Sequence, residues 1–264
     1  MYDTLRPELL TATPEQRQMM ADDPTAVVSR ELFFENQFPY MELRRPFILG
    51  TGVAQWKATR AHWFIRLLED KGKLARLYTQ NIDGLDFQTG ISSSKLVSVH
   101  GTMHSVHCEG CGADYPRHDF VDAVKASIKD IYAVDPSAPL VSRTIPCLDC
   151  GKPLVKPSTV LYGGSMPSAF FQAVKEDFPA SVDLLLVMGT SLTVMPAASL
   201  VNLTGPNCRR VIVDRNPVAY LQHPKAGEGA NLDFFLEGDC EDCVTELVNA
   251  LHWEEDLQRL LNAQ

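Results

Sequence analysis

Two Cys-x-x-Cys pairs, each followed directly by glycine, are the strongest constraint in this sequence. The first pair is Cys108 and Cys111 in CEGC, and the second is Cys147 and Cys150 in CLDC. The two-residue spacer lets both thiolates of a pair face one metal ion, and the glycine relieves crowding as the turn closes. Four thiolates complete a closed tetrahedral shell, so we predict a structural Zn²⁺ in a small module, with a redox-active pair as the alternative.

The residues around these pairs have simpler interpretations. His104 and His107 are interpreted as polar surface residues, because four thiolates already fill the coordination shell. Between the two pairs, the stretch DFVDAVKASIKDIYAV has helical spacing of its apolar residues. We expect it to form a helix on the surface of the zinc module.

The acidic balance of the chain limits its partners. The 264 residues carry a formal net charge of −9, which argues against direct binding to nucleic acid, since such proteins concentrate Lys and Arg on one face. The N-terminus lacks the apolar core of a signal peptide, and the least charged run, Leu184 to Cys208, contains turn residues, so we predict no membrane segment. Seven cysteines without a secretory signal favour a reducing compartment, either the cytoplasm or the nucleus.

Four apolar runs predict the framework of the fold. Helical stretches separate these runs, which are LARLYT, KLVSV, DLLLVM and RRVIVD. Continuous apolar runs of this kind are typical of a parallel sheet covered on both faces. We therefore predict an α/β fold, with a Rossmann-like parallel sheet, an inserted small four-cysteine zinc module and a helical segment.

Two helices have clear apolar stripes. In QWKATRAHWFIRLLEDKG the stripe consists of Ala58, Ala61, Ile65 and Leu68, and a glycine at residue 72 predicts the C-cap. Near the C-terminus, Val244, Leu247 and Leu251 repeat the same spacing. We expect this last helix to dock on the sheet.

Polar residues follow each apolar run at the point where the strand should end. They are Gln80, Asn81 and Asp83, then His100, then Gly189, Thr190 and Ser191, and finally Asp214. Ligands of open α/β sheets bind outside the carboxyl ends of the strands, so we expect these residues to line one cleft. Gly189 would let a phosphate-bearing ligand approach closely, and Asp214 would accept hydrogen bonds from a ribose. For Gly-Thr-Ser, an ordinary strand-to-helix turn is the alternative.

His100 is the candidate general base. An imidazole with a pKa near 6.5 accepts a proton at neutral pH. The alternative is a hydrogen-bonded histidine that closes a strand.

The sequence resembles the sirtuins, the NAD-dependent protein deacylases. The resemblance runs from about residue 55 to 250, with a weaker trace at MYDTL. The segments that carry it occur in the family's order: YTQNID, HG followed by CEGC, CLDC, KPSTVLYGG, MGTSLTVMP, VIVDRN and GDCEDCV. The resemblance implies removal of acyl groups, including acetyl, from protein lysine, with NAD as co-substrate and nicotinamide and O-acyl-ADP-ribose as products.

The resemblance also implies roles for individual residues. His100 would act as the base on a ribose hydroxyl, with Asn81 as the second catalytic residue. The remaining expected contacts are Gln80, Asn81, Ile82 and Asp83 around the nicotinamide and its ribose; Gly189, Thr190 and Ser191 elsewhere on NAD; Asp214, Arg215 and Asn216 at the adenosine ribose; and Cys240 at the adenine. The acyl-lysine protein or peptide would pair its backbone with Val160, Leu161, Tyr162 and Gly163.

The expected domain organisation follows the family. Residues 1–264 would form one sirtuin-type catalytic domain. Within it we expect a partial helical segment at 1–55, a Rossmann-like NAD-binding part at 56–100 and 157–264, and the zinc-binding module at 101–156. NAD and the acyl-lysine peptide would meet between the NAD-binding part and the module.

One departure from the family bears on activity. Sirtuins begin with a strand and a Gly-Ala-Gly loop that cradles the NAD phosphates, and this chain has no Gly-Ala-Gly sequence. We expect that the gene model is incomplete and that the endogenous protein is several kilodaltons heavier than 29.3 kDa. The alternatives are a truncated product or a catalytically inactive relative, which would bind NAD or ADP-ribose, or recognise peptides on a zinc-stabilised scaffold.

Overall fold

The computed structural model describes residues 5–178, 182–217 and 233–263. The N-terminal trace MYDTL therefore lies almost wholly outside the described residues. By contacts the chain divides into two compact units. Unit 1 comprises Met1–Trp56, Asn81–Gly84 and His100–Pro167, and unit 2 comprises Lys57–Gln80, Leu85–Val99 and Ser168–Gln264. The helical segment and the cysteine module thus share one unit, which also includes residues 157–167, assigned by the sequence to the NAD-binding part.

The elements of the described residues are these. The helices are α1 (Pro14–Asp22), α2 (Arg30–Glu35), α3 (Phe38–Gly52), α4 (Arg60–Asp70), α5 (Leu85–Gln88), α6 (Arg117–Ser127), α7 (Ser168–Asp177), α8 (Cys240–Leu251) and α9 (Glu254–Asn262). The strands are β1 (Leu77–Thr79), β2 (Leu96–Ser98), β3 (Gly101–Cys108), β4 (Val155–Thr159), β5 (Leu184–Met188), β6 (Arg209–Asp214) and β7 (Asp233–Glu237). Short 3-10 helices occupy Pro7–Leu9, Pro24–Val28 and Ala197–Asn202.

Unit 2 contains the parallel strands. β5, β6 and β7 pair in that order, with Met188 opposite Val213 and Val213 opposite Leu236. β1 pairs in parallel with β2, from Leu77 opposite Leu96. The predicted α/β class with parallel strands and a four-cysteine module is confirmed.

The expectation that the third apolar run is covered on both faces is wrong at one end. The first residue of β5, Leu184, is 54% exposed, whereas Val187 is buried. Leu184 lies on the strand at one end of the described β5–β6–β7 ladder. A residue at the start of such a strand has fewer covering neighbours than one in its middle.

Helix α4 begins with a cap from a distant part of unit 2. The carboxylate of Glu241, in the first turn of α8, accepts hydrogen bonds from the amides of Arg60 and Ala61 at 2.9 and 3.0 Å. The amide of Thr59 also donates to Nδ1 of His62 at 3.2 Å. These bonds satisfy amides that have no partner within the helix.

The buried face of α4 is centred elsewhere than the predicted stripe. Its buried residues are Trp63, Phe64 and Leu67, while Ala61, Ile65 and Leu68 pack against the same cluster and stay partly exposed. On α8, Val244 and Val248 are buried in this cluster, but Leu251 is 43% exposed. Bulky aromatic residues took the central position because they bury more apolar area than alanine.

Unit 1 packs the N-terminal helices and the cysteine module around one core. Phe33 and Tyr40 meet edge to face with ring centroids 5.2 Å apart. The same cluster includes Phe120 and Val124 of α6. A helix between the cysteine pairs is thus confirmed for the first part of the predicted stretch, but it ends at Ser127.

A buried carboxylate connects the N-terminal helical segment with a later part of unit 1. Glu42 on α3 is fully buried and accepts hydrogen bonds from the amide and hydroxyl of Thr11 at 2.8 and 2.6 Å. The hydroxyl of Ser142 donates to the same carboxylate at 2.6 Å, and Lys129 Nζ lies 3.6 Å away. The helical segment is therefore hydrogen-bonded to the stretch that precedes the second cysteine pair.

Candidate functional site

The four cysteines of unit 1 form one cluster. The ligand atoms of Cys108, Cys111, Cys147 and Cys150 all lie within 4.8 Å of one another. Cys108 Sγ is 3.7 Å from Cys150 Sγ, and Cys111 Sγ is 3.7 Å from Cys147 Sγ. Thiolates placed about 2.3 Å from a tetrahedral zinc ion have sulfur–sulfur edges of about 3.8 Å, so the cluster suits a structural Zn²⁺.

Both cysteine pairs sit in the same kind of turn. The amide of Gly112 donates to the carbonyl of Cys108 at 2.8 Å, and the amide of Gly151 donates to that of Cys147 at 3.0 Å. Both glycines have positive φ, as the sequence predicted. Backbone amides of Cys150 and Asp149 lower the pKa of the Cys147 thiol to about 7, which favours the thiolate form. Burial raises the pKa of Cys108, and, despite a backbone hydrogen bond with Ala113, the neighbouring thiols raise the pKa of Cys111 to about 12. A metal ion would therefore bind with release of protons from these two thiols.

The two histidines beside the cluster differ in their surroundings. His104 is exposed on β3, as predicted for a surface residue. His107 is half-buried: its Nδ1 lies 2.8 Å from Ser158 Oγ, and its Nε2 lies 3.1 Å from Glu109 Oε1. The prediction of a simple surface residue is therefore wrong for His107, which links β3 to β4.

The candidate base lies at the start of β3. His100 was predicted as the last residue of a strand, but β2 ends at Ser98 and His100 lies in the turn before Gly101. Gly101 has φ +74°, and a Cβ there would lie 2.0 Å from the carbonyl oxygen of Ser158. Glycine is thus required both for the backbone conformation and for close contact with β4. This turn ends β2 and redirects the chain into β3.

The polar residues after β1 reach the same strand. The amide of Met103 donates to the carbonyl of Ile82 at 2.8 Å, and Ile82 packs against the unit 1 core. Asn81 is exposed and Asp83 is half-buried. Unit 1 therefore places Ile82 beside Met103 of β3, which lies three residues after His100 in the chain.

The segment expected to bind substrate continues directly from β4. The amide of Val160 donates to the carbonyl of His100 at 2.9 Å. The amide of Tyr162 donates to Val28, and its carbonyl accepts from Arg30, at 3.0 and 2.9 Å. Neighbouring residues of an extended segment direct their main chain to opposite sides, so the amide of Leu161 faces away from these bonds.

A tight turn ends this segment. The amide of Gly164 donates to the carbonyl of Leu161 at 2.8 Å, and Gly163 has φ +78°. These features match a type II turn with Tyr162 and Gly163 at its centre. The side chain of Leu161 is buried, whereas Tyr162 is 51% exposed.

In unit 2, predicted residues follow β5 as expected. Gly189 has φ +61°, and its amide donates to the carbonyl of Val213 at 2.9 Å. Thr190 Oγ1 accepts hydrogen bonds from Gln80 Nε2 at 3.1 Å and from the amide of Leu192 at 3.2 Å. Ser191 is exposed, with its hydroxyl 3.1 Å from that of Thr193. The helix expected after this turn is the short 3-10 helix Ala197–Asn202, which makes no long helix dipole.

The ends of β6 and β7 complete this group. Asp214 Oδ1 accepts from the amide of Asn216 at 2.9 Å, and its carbonyl accepts from Gly238 at 3.0 Å. Arg215 forms an ion pair with Asp239, the N-cap of α8. The carboxyl ends of β5, β6 and β7 thus carry residues 189–191, 214–216 and 238–240 on one edge of a parallel sheet.

Cys240 is the first residue of α8 and faces Gly189. A Cβ on Gly189 would lie 3.3 Å from Cys240 Sγ. Burial, together with the carboxylates of Asp239 and Asp214, raises the pKa of the Cys240 thiol. At neutral pH this residue is a protonated thiol, which suits an apolar contact better than a nucleophile.

Sequence reasoning missed a third Cys-x-x-Cys, formed by Cys240 and Cys243 in CEDC. Cys243 is buried, and burial raises the pKa of its thiol. Among the described residues, the cysteines that gather as metal ligands are those of unit 1. The spacing alone was the available signal for the third pair.

The predicted site residues fall into two groups by unit. Unit 1 holds Asn81, Ile82, Asp83, His100, the segment 160–163 and the cysteine cluster. Unit 2 holds Gln80, residues 189–191, residues 214–216 and Cys240. Within the part of the chain that is described, no helix is both long and apolar enough to span a bilayer.

Comparison with known proteins gives consistent matches. A sequence model of the Sir2 family matches residues 13–196. The chain is 33% identical over 255 residues to NAD-dependent protein deacetylase sirtuin-2 of Danio rerio, covering 91% of this chain and 62% of that protein. It is 36% identical over 242 residues to NAD-dependent deacetylase sir2A of Dictyostelium discoideum, covering 89% and 43%, respectively. It is 34% identical over 242 residues to NAD-dependent protein deacetylase sirtuin-3 of Mus musculus, covering 91% and 64%.

The extent of these matches has two consequences. The chain spans between 43% and 64% of the length of these three relatives. The family match ends at residue 196, so Asp214, Arg215, Asn216 and Cys240 lie beyond it.

Proposed function

Since the chain belongs to the Sir2 family, as its motifs predict, we propose that it removes acetyl groups from protein lysine side chains in an NAD-dependent reaction. Nicotinamide and O-acyl-ADP-ribose are the products of this reaction. The observation that carries the proposal is the hydrogen bond from the Val160 amide to the His100 carbonyl, at 2.9 Å. It joins the candidate base to the segment that we assign to the substrate.

His100 is the general base of the proposed reaction. NAD would supply the ribose carbon that the acyl oxygen attacks as nicotinamide leaves. A hydroxyl of the same ribose would then take the acyl group while the lysine amine departs, with one water consumed overall. The His100 imidazole takes a proton from a ribose hydroxyl, which makes that oxygen a better nucleophile towards the acyl carbon. Within unit 1, the hydrogen bond from the Val160 amide to the His100 carbonyl holds the backbone of His100 next to the segment 160–163. Asn81, exposed beside β3, orients the reacting groups with its amide.

The NAD contacts in unit 2 have distinct physical roles. Gly189 lets the ligand approach the backbone at the end of β5. Thr190 and Ser191 supply hydroxyl groups, while Asp214, Arg215 and Asn216 bind the adenosine ribose. Cys240 presents a protonated thiol to the adenine. In this scheme Gln80 and residues 81–83 surround the nicotinamide and its ribose.

The acyl-lysine substrate binds by backbone pairing. The main chain of Tyr162 already pairs with Val28 and Arg30, and the carbonyl of Leu161 accepts from Gly164. The substrate strand therefore pairs with segment 160–163 on the side that the Leu161 amide faces. Recognition of main chain leaves sequence preference loose, which suits an enzyme that acts on lysines in varied proteins. Acylation removes the lysine charge, so the side chain enters an apolar passage.

Zinc in this scheme is structural. The four-cysteine shell has no open position for water or substrate, and the ion holds the two cysteine turns together. The thiols and the metal fit a reducing compartment, and we propose the cytoplasm or the nucleus. The acidic net charge supports protein substrates rather than nucleic acid, with no membrane partner.

The direct test is nicotinamide release by the purified chain, given NAD and an acetyl-lysine peptide. His100→Ala should abolish release while zinc content stays at one ion per chain. His118→Ala is the matched control, because this histidine is highly exposed on α6. Loss of zinc in the His100 variant, or release that persists in it, contradicts the assignment of the base.

The same assay separates the alternative functions. A chain that binds NAD by calorimetry but releases no nicotinamide is a binding relative. A chain that binds the peptide and not NAD is a peptide-recognition scaffold.

A further inference from the structure

The ladder between β3 and β4 is irregular just before the substrate segment. Gly101 and Thr102 oppose Thr159 and Ser158, but the next opposed pair is Val106 and Pro157. Extra residues of β3 therefore bulge out at this point, and Pro157 has no amide to donate. Regular strand pairing does not hold the main chain of β4 here.

A buried lysine replaces the missing ladder bonds. Lys156 has no exposed side-chain surface, and its Nζ donates to the carbonyls of Pro157 and Thr159 at 2.9 and 2.6 Å. Its charge is paired with Glu109 Oε1 at 2.9 Å. A buried ammonium needs such a set of partners, since desolvation without them is costly.

One peptide group is held at both ends by this arrangement. Lys156 Nζ binds the carbonyl oxygen of Thr159, and the amide of the following residue, Val160, donates to the carbonyl of His100. The plane of the Thr159–Val160 peptide is thereby fixed. Because the peptide unit is planar, fixing it sets the direction in which the segment 160–163 leaves β4.

We propose that Lys156 is a positioning residue for the acyl-lysine peptide: it fixes the Thr159–Val160 peptide group, and through it the segment 160–163 relative to His100. Lys156 does not contact the substrate in this scheme. The assignment of the segment to substrate rests on the function proposed above, whereas the hold on the peptide group does not. The experiment therefore needs one readout for each.

The variants are chosen so that loss of the ion pair is separated from loss of the carbonyl bonds. Glu109→Gln keeps both lysine–carbonyl bonds but leaves the buried ammonium without a counter-charge, so it shows the cost of the unpaired charge. Glu109→Gln combined with Lys156→Met also removes those bonds, and it leaves no unpaired charge that would prevent folding. Zinc content and thermal unfolding are measured for both variants.

The first readout is hydrogen exchange of the Val160 amide, followed residue by residue. In the double variant we expect this exchange to be at least about tenfold faster than in the wild type, since about 1.4 kcal/mol of local opening free energy corresponds to tenfold. Equal exchange in the double variant and the wild type overturns the positioning role, whether or not the chain is an enzyme. A second outcome is also decisive. If exchange is faster in the double variant but the wild-type chain binds no peptide, Lys156 does hold the segment and the proposed function is contradicted.

The second readout is steady-state kinetics. The double variant should raise the KM for the acetyl-lysine peptide about tenfold relative to the wild type, with the KM for NAD unchanged. A proportional loss for both substrates indicates general destabilisation and overturns the specific role. Tyr40→Phe is the control for altered packing, because it loses only the 3.0 Å hydrogen bond to the hydroxyl of Thr159.

Discussion

The side-chain amide of Gln80 donates to Thr190 Oγ1 at 3.1 Å and joins the residue after β1 to the turn after β5. The same hydroxyl oxygen accepts from the amide of Leu192 at 3.2 Å. One threonine thus organises both the turn and its connection to Gln80. This makes its hydroxyl a sensitive point of the proposed NAD site.

Thr190→Val should weaken NAD binding about tenfold, because loss of a hydroxyl that accepts two hydrogen bonds costs about 1–2 kcal/mol. Titration calorimetry with NAD measures the effect. Thr204→Val is the matched control in the same unit, since this hydroxyl donates to the carbonyl of Val201 away from the predicted site residues. Equal affinity in the wild-type and Thr190 variants would contradict a role for this turn in NAD binding.

Removal of one cysteine of the cluster should release the metal. In Cys111→Ser we expect loss of zinc measured by atomic emission, together with loss of the near-ultraviolet signal of unit 1, because metal affinity of structural sites contributes about 10 kcal/mol or more to folding. Cys208→Ser, at a buried cysteine outside the cluster, should keep the zinc. A Cys111 variant that retains a full equivalent of zinc would mean that other ligands hold it.

Gly101→Ala tests the close contact at the start of β3. The Cβ would lie 2.0 Å from the carbonyl oxygen of Ser158, and φ is +74°. We expect the free energy of unfolding to fall by more than about 2 kcal/mol, with about 1–2 kcal/mol from the left-handed conformation alone.

The control separates these two effects. Gly72 has φ +66° and nothing within 4 Å of the added Cβ, so Gly72→Ala carries only the conformational cost. Urea unfolding measures both variants. If both variants lose a similar free energy of unfolding, β4 moves away from the added Cβ at no energetic cost.

Glu42→Gln should destabilise unit 1 without affecting the cysteine turns. The carboxylate accepts from Thr11 and Ser142, and a hydrogen bond to a charged group contributes about 1.5–3 kcal/mol. We expect a loss of about 2 kcal/mol in the free energy of unfolding, measured by thermal or urea unfolding. Glu8→Gln, at an exposed carboxylate, should change it by less than about 0.5 kcal/mol.

Short-range patterns predicted the parts of the structure that depend on neighbouring residues. The spacing of Cys108 and Cys111 fixes a turn geometry, and the repeat of that spacing at Cys147 implied the shared cluster. The polar residues after β5 and β6 were predicted because a parallel sheet brings carboxyl ends of strands to one edge. In each case the required information lies within a few residues.

Contacts between distant residues were not predictable in this way. Glu42 and Ser142 are 100 residues apart, and nothing local marks either as buried. His100 was expected at the end of a strand, because the apolar run does not reveal that Gly101 starts a new one. The sequence around Lys156 does not indicate that this residue is buried, because its burial depends on the bulge in β3 and on Glu109.

The cap that Glu241 places on α4 has a consequence for synthesis of the chain. The carboxylate lies 180 residues after the amide of Ala61 that it binds. All of unit 1 is translated by residue 167, whereas Trp63, Phe64 and Leu67 must wait for α8 before they are covered. Domains fold as units during synthesis, so unit 1 completes first while the apolar face of α4 stays open on the ribosome. That face is covered only after the last part of unit 2 has been synthesised.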